Sequence, residues 1–146
     1  MNDTLSIILA TIWVMPALAV VAAALDLRSR TIPNWIPATI LVWGLIASTA
    51  GLLPIDLVGA LIGLVVGAVI TLPLFAVRAF GGGDVKLACA CCACLGGLGA
   101  VYLLTATALV GGILALVAKS KKQHTLAYAP AIAGGAIIAT LITWLT

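Results

Sequence analysis

Charge is what this sequence lacks. Only 8% of its 146 residues are charged, there is a single His, and the acids are four aspartates, Asp3, Asp26, Asp56 and Asp84. So little polar surface cannot cover a water-soluble core, and 64% hydrophobic content with a mean hydropathy of +1.33 points to an integral membrane protein. The period-two alternation of barrel strands is also missing. Since only helices and closed barrels satisfy every backbone group in lipid, the chain reads as all-α. No linker, repeat or low-complexity segment divides it, so residues 1–146 are expected to form one membrane domain.

A basic region before the first apolar run is absent too, which argues against a signal peptide even though Ala22-Ala23-Ala24 resembles a cleavage site. Leu5–Leu25, Ile36–Leu53, Leu57–Val77, Ala100–Ala118 and Leu126–Leu145 are apolar runs near the roughly 20 residues a spanning helix needs. Pro54 and Asp56 separate the second from the third. Val85–Leu98 is short for a crossing, and charge decides how it is read. If it crosses, Arg28, Arg30, Arg78, Lys86, Lys119, Lys121 and Lys122, which are all the Lys and Arg of the chain, fall on one side. The positive-inside rule then predicts a polytopic protein of six transmembrane helices, the fourth short and opening at a glycine loop. Both termini lie outside and the basic loops lie in the cytoplasm. Asp3 and Asp56 fall on the outer face, and Asp26 and Asp84 share the inner one.

The cysteines lack the arrangement of a metal site. Cys89, Cys91, Cys92 and Cys94 contain two Cys-x-x-Cys spacings, but on one helix they spread around the circumference, whereas tetrahedral sites draw separated pairs from different loops. They read as small packing residues that form no disulfide with one another. Gly59, Gly63 and Gly67 form a small-x-x-x-small ladder, expected to pack inside the bundle rather than across a homodimer face. Trp13, Trp35, Trp43, Trp144, Tyr102 and Tyr128 read as interfacial or packing aromatics, and His124 as solvated beside its lysines.

What the sequence does hold is Phe80-Gly81-Gly82-Gly83-Asp84-Val85-Lys86, an acid between a glycine triplet and an apolar segment. A charged side chain costs roughly 2.5 to 3.5 kcal/mol at a membrane helix centre on insertion scales, so an acid at membrane depth marks a functional candidate. Asp26 ends the first apolar run on the same side. Two carboxyl groups brought together there would share a proton, the arrangement in which one activates water and the other donates to a scissile carbonyl. Simpler roles compete: Asp26 can pair with Arg28 or Arg30, and Asp84 can serve as an N-cap. Gly81 to Gly83 permit close backbone approach, so a peptide could lie against this loop. Lys86 is read as tuning the site, attracting an acidic substrate group, or snorkelling to the headgroups. Pro33 forces an extended turn, and Asn34 is expected to cap the second span rather than bond a carboxyl.

These stretches carry a resemblance. Asp26-Leu27-Arg28-Ser29-Arg30-Thr31-Ile32-Pro33-Asn34 resembles the first aspartate motif of the type IV prepilin peptidases. Gly81-Gly82-Gly83-Asp84-Val85-Lys86-Leu87 resembles their second, and Tyr128-Ala129-Pro130-Ala131-Ile132-Ala133 a weaker stretch in the last span. The resemblance implies an aspartic endopeptidase of the inner membrane that removes basic leaders from prepilin-like precursors at the cytoplasmic face, with Asp26 and Asp84 as the catalytic pair. Gly81, Gly83, Lys86 and Asn34 would shape the loop or bind substrate. Larger family members carry a Cys-x-x-Cys insertion and N-methylate the product; here the first span leads straight into the Asp26 motif, so peptidase activity without methyl transfer is expected. The compact form is similar to the peptidases of Tad-type, Flp-like pili, with archaeal preflagellin peptidases as neighbours. No metal or organic cofactor and no nucleic acid is implied, and the partners are the precursor and the bilayer. The competing readings are a small proton-coupled or cation transporter using the two aspartates, and a structural membrane subunit, which leaves Asp84 unexplained.

Overall fold

The computed structural model describes the backbone of residues 2–120 and 128–145, and the side chains of 11–117, 128–143 and 145. Lys121, Lys122 and His124 lie outside the described residues, as do the side chains of Asp3, Lys119 and Trp144. The described residues form five helices and no strand.

α1 (Asn2–Ser29) ends where Arg30 takes a left-handed φ of 53°, its N–H bonding the Asp26 carbonyl at 2.8 Å. This is the αL type of helix stop, placed on an arginine rather than the usual glycine. α2 (Trp35–Thr49) stops short of the expected Leu53 because Gly51 turns left-handed at φ 70°. Leu52 N–H then bonds Ala47 O at 2.9 Å, and Gly51 N–H bonds Ser48 O at 3.4 Å, closing a Schellman motif. α3 (Leu57–Ala76) starts at Asp56, whose side chain accepts from Gly59 N–H at 2.7 Å. It ends with Arg78 at φ 59°, and Ala79 N–H bonds Leu74 O at 2.8 Å.

α4 (Gly82–Ser120) opens inside the glycine triplet, ahead of the expected Val85. It joins the two spans expected on either side of Gly99 into one element, with non-helical backbone at Gly96, φ 73° and ψ −174°. A straight helix would hold Phe80 and Gly111 roughly 45 Å apart at 1.5 Å per residue. Instead one ring, Tyr128, stacks on Phe80 at 4.9 Å and lies 3.6 Å from where a Gly111 Cβ would stand. The helix therefore doubles back at Gly96. Ile55 holds the bend, its Cγ2 3.0 Å from the Cβ that any other residue would add there.

α5 (Ala129–Leu145) runs antiparallel to the second arm of α4, Gly134 facing Val110 and Gly135 facing Leu103 and Thr107. α3 runs antiparallel to the first arm, with Gly63 against Cys92 and Gly67 against Cys92 and Cys89. The glycine ladder is thus spent inside the bundle at those two positions. Ile36, Ile40, Leu87, Cys91, Cys92, Leu103 and Ile132 are fully buried between these helices. α1, α3 and α4 are long and apolar enough to cross a membrane; α2 and α5 are apolar but shorter. Val65, Val69, Leu72, Phe75, Leu109, Ile113 and Leu116 project outward from α3 and α4, an apolar exterior suited to lipid.

Candidate active site

Three connections converge at one end of the bundle: the turn from α1 to α2, the turn from α3 to α4, and the entry to α5, where Tyr128 meets Phe80. Arg28, Arg30, Arg78 and Lys86 all belong to this end. Asp56 lies at the other, engaged as the α3 cap.

Asp26 sits in the last turn of α1, its side chain 8% exposed. Asp84 sits in the first turn of α4, 9% exposed. Gly81 rather than Asp84 holds the N-cap position. Asp84 reaches back from three residues on, its Oδ2 accepting from the Gly81 N–H at 3.2 Å, which is half of a capping box. The other oxygen, Oδ1, is buried with no hydrogen-bond partner. Asp26 is near enough to act electrostatically on Asp84. Hence the two acids expected to share a side occupy one buried neighbourhood, and one of them carries an unspent acceptor.

The glycines set this geometry by what they omit. A Cβ on Gly81 would stand 3.0 Å from Asp84 Oδ2, and one on Gly83 would stand 3.2 Å from Ile32 Cβ. Ile32 is therefore the floor on which the first turn of α4 rests. Nothing in the sequence beyond its place in the Ile-Pro-Asn tail marks it for that role.

Asn34 departs from expectation. It occupies the N-cap position of α2, but with helical φ and ψ of −60° and −21° its side chain makes no capping bond. Its Oδ1 accepts instead from Lys86 Nζ at 3.1 Å, across 52 residues of sequence. Lys86 is exposed, and one of its three N–H donors makes that bond.

The cysteines pack separately. Cys94 Sγ fits against Gly44 and lies 3.5 Å from the Ile40 carbonyl, Cys89 Sγ is 3.5 Å from Thr71 Oγ1, and Cys92 fills the Gly63 and Gly67 notch. A small cavity of about 20 Å³ lies toward the other end, between Thr11, Met15, Trp43, Cys94, Thr140 and Thr143. It touches neither aspartate.

The chain matches the model of the type IV leader peptidase family over residues 13–116. No curated protein and no solved structure matches it. Because the matched span runs from within α1 into the second arm of α4 and takes in both aspartate stretches, the chain belongs to the type IV leader peptidase family.

Proposed function

We propose that this protease is a membrane-embedded aspartic endopeptidase of a single domain, and that Asp26 and Asp84 are its catalytic pair. The observation that carries the reading is the buried Asp84 Oδ1 without a partner, at the end of the bundle where Asp26 is buried too. A buried acceptor left unmade costs about 1 to 3 kcal/mol, and in a family of peptidases an attacking water is the natural occupant. In the reaction, the ionised member of the pair takes a proton from that water as its oxygen attacks the scissile carbonyl carbon. The protonated member donates to the carbonyl oxygen. Collapse of the tetrahedral diol breaks the C–N bond: the acid formed in the first step protonates the leaving amine, the other carboxylate takes a diol hydroxyl proton, and the pair again shares one proton. Gly81 shapes the loop by leaving room for Asp84 Oδ2 and Gly83 by leaving room for Ile32, and extended substrate would lie along the loop so formed.

The substrate in this reading is a prepilin-like precursor whose apolar helix lies in the bilayer and whose basic leader projects into the cytoplasm. Counting the two arms of α4 separately gives six crossings of an inner membrane, with both termini outside and the site at the cytoplasmic face. The shared location of Arg28, Arg30, Arg78 and Lys86 supports that orientation. No Cys-x-x-Cys insertion interrupts α1 before Asp26, so the proposal does not extend to methyl transfer.

A transporter reading fits less well. Transport sites form at broken helices near the midplane, and the break at Gly96 is about 18 Å along α4 from Asp84 at 1.5 Å per residue. The proposal is tested by incubating the chain, reconstituted in vesicles, with a purified prepilin-like precursor and weighing the products. A single cut that releases the basic leader supports it; no cut in any precursor offered, or scattered cuts, would contradict it.

A further inference from the structure

We propose that Asn34 and Lys86 form a latch that positions Asp26 against Asp84, an inference that rests on the peptidase reading above. Asp26 and Asp84 stand on different helices, and the segment that must hold them in register is the short linker after α1. Its near end is fixed to α1 by local bonds: Arg30 N–H to Asp26 O at 2.8 Å, Ser29 Oγ to Leu25 O at 2.9 Å, and Thr31 Oγ1 to Ser29 O at 3.0 Å. Ties from the linker to the start of α4 include the apolar seat of Ile32 on Gly83. They also include the Lys86 Nζ to Asn34 Oδ1 bond at 3.1 Å, which, unlike the apolar seat, is directional.

The direction of Lys86 separates this role from a catalytic one. Two residues along a helix is about 200° of rotation, so Lys86 leaves α4 on the side away from Asp84. It draws the linker, and with it the end of α1, onto the helix that carries Asp84. Asn34 being left without a helix-capping bond is consistent with its side chain being spent here.

The test compares Asn34→Ala, Lys86→Met and the double variant, in lipid, by two readouts. Cleavage kinetics should show kcat lowered roughly tenfold to a hundredfold in each single variant, the scale that small misplacements of reacting groups produce, with KM nearly unchanged. The double variant should be no slower than the slower single. Asn34→Asp, which keeps an acceptor for Lys86, should recover most of the rate. Hydrogen exchange of residues 30–34, which needs no activity, should quicken in both single variants and no further in the double. Multiplicative losses in kcat, a rise in KM for Lys86→Met alone, or unaltered exchange would overturn the latch. If the native chain cleaves nothing, the peptidase reading fails, and exchange still decides whether the two side chains hold the linker.

Discussion

Asp84 turns one carboxylate oxygen back to the Gly81 N–H at 3.2 Å and keeps the other buried and unbonded. The bond fixes the side chain's direction from within its own loop, so the unbonded oxygen is aimed by a backbone group on the far side of Gly82 and Gly83. Gly81→Ala places a methyl 3.0 Å from Oδ2, closer than ordinary contact. That carboxylate must then shift. Cleavage of a precursor should fall several-fold while the amount of protein in the membrane is unchanged; equal activity would mean the Gly81 contact does not orient Asp84.

Gly63 is a packing position, and its replacement should read out as stability. An added Cβ would run into the backbone carbonyl of Cys92, which cannot swing aside as a side chain does. Gly63→Ala should lower stability in detergent by about 1 to 3 kcal/mol, the usual cost of overpacking. Gly112 has nothing within 4 Å of its would-be Cβ, and Gly112→Ala should be neutral or slightly stabilising. Thermal unfolding of the two variants side by side checks this.

Asp56 serves as a contrast to the other acids. It caps α3 through Gly59 N–H at 2.7 Å, at the end of the bundle away from Asp26 and Asp84. Asp56→Ala should cost about 1 kcal/mol of stability, typical of a lost N-cap, and leave cleavage at assay temperature intact. Loss of cleavage with stability retained would move Asp56 into the site.

The thiols should sort by burial. Cys91 and Cys92 are fully enclosed and Cys94 nearly so, whereas Cys89 is half-buried beside Thr71. Maleimide applied to the folded protein in lipid should modify at most Cys89, and all four only after denaturation, as peptide mass mapping would show. Rapid modification of Cys91 or Cys92 would mean the first arm of α4 is not packed against α3.

That Asp26 and Asp84 lie at one end of the bundle was legible in the sequence, because acids are so scarce in it and the basic residues put those two on one side. The helix ends were not. Gly51 stops α2 before Leu53 by turning left-handed, and Leu95-Gly96-Gly97-Leu98-Gly99 offers three glycines for the bend; Ile55, distant in sequence, packs at Gly96, the one that takes it. Two left-handed arginines, Arg30 and Arg78, close α1 and α3 where sequence rules expect glycine or asparagine. Asn34 and Lys86 each had a sensible local role, cap and snorkel, and the bond that joins them depends on a tertiary approach that no local rule encodes.

The central claim is that Asp26 and Asp84 act together on one water. It is tested most directly by co-expressing a pilin precursor with the native chain, with Asp26→Asn and with Asp84→Asn, and following the mobility shift of the cleaved product. Asparagine preserves shape and removes the charge, so each variant should accumulate in the membrane and each should lose at least a hundredfold in rate, the order expected for losing a general acid or base. If either variant still cleaves at near the native rate, that carboxylate is structural and the paired mechanism is wrong.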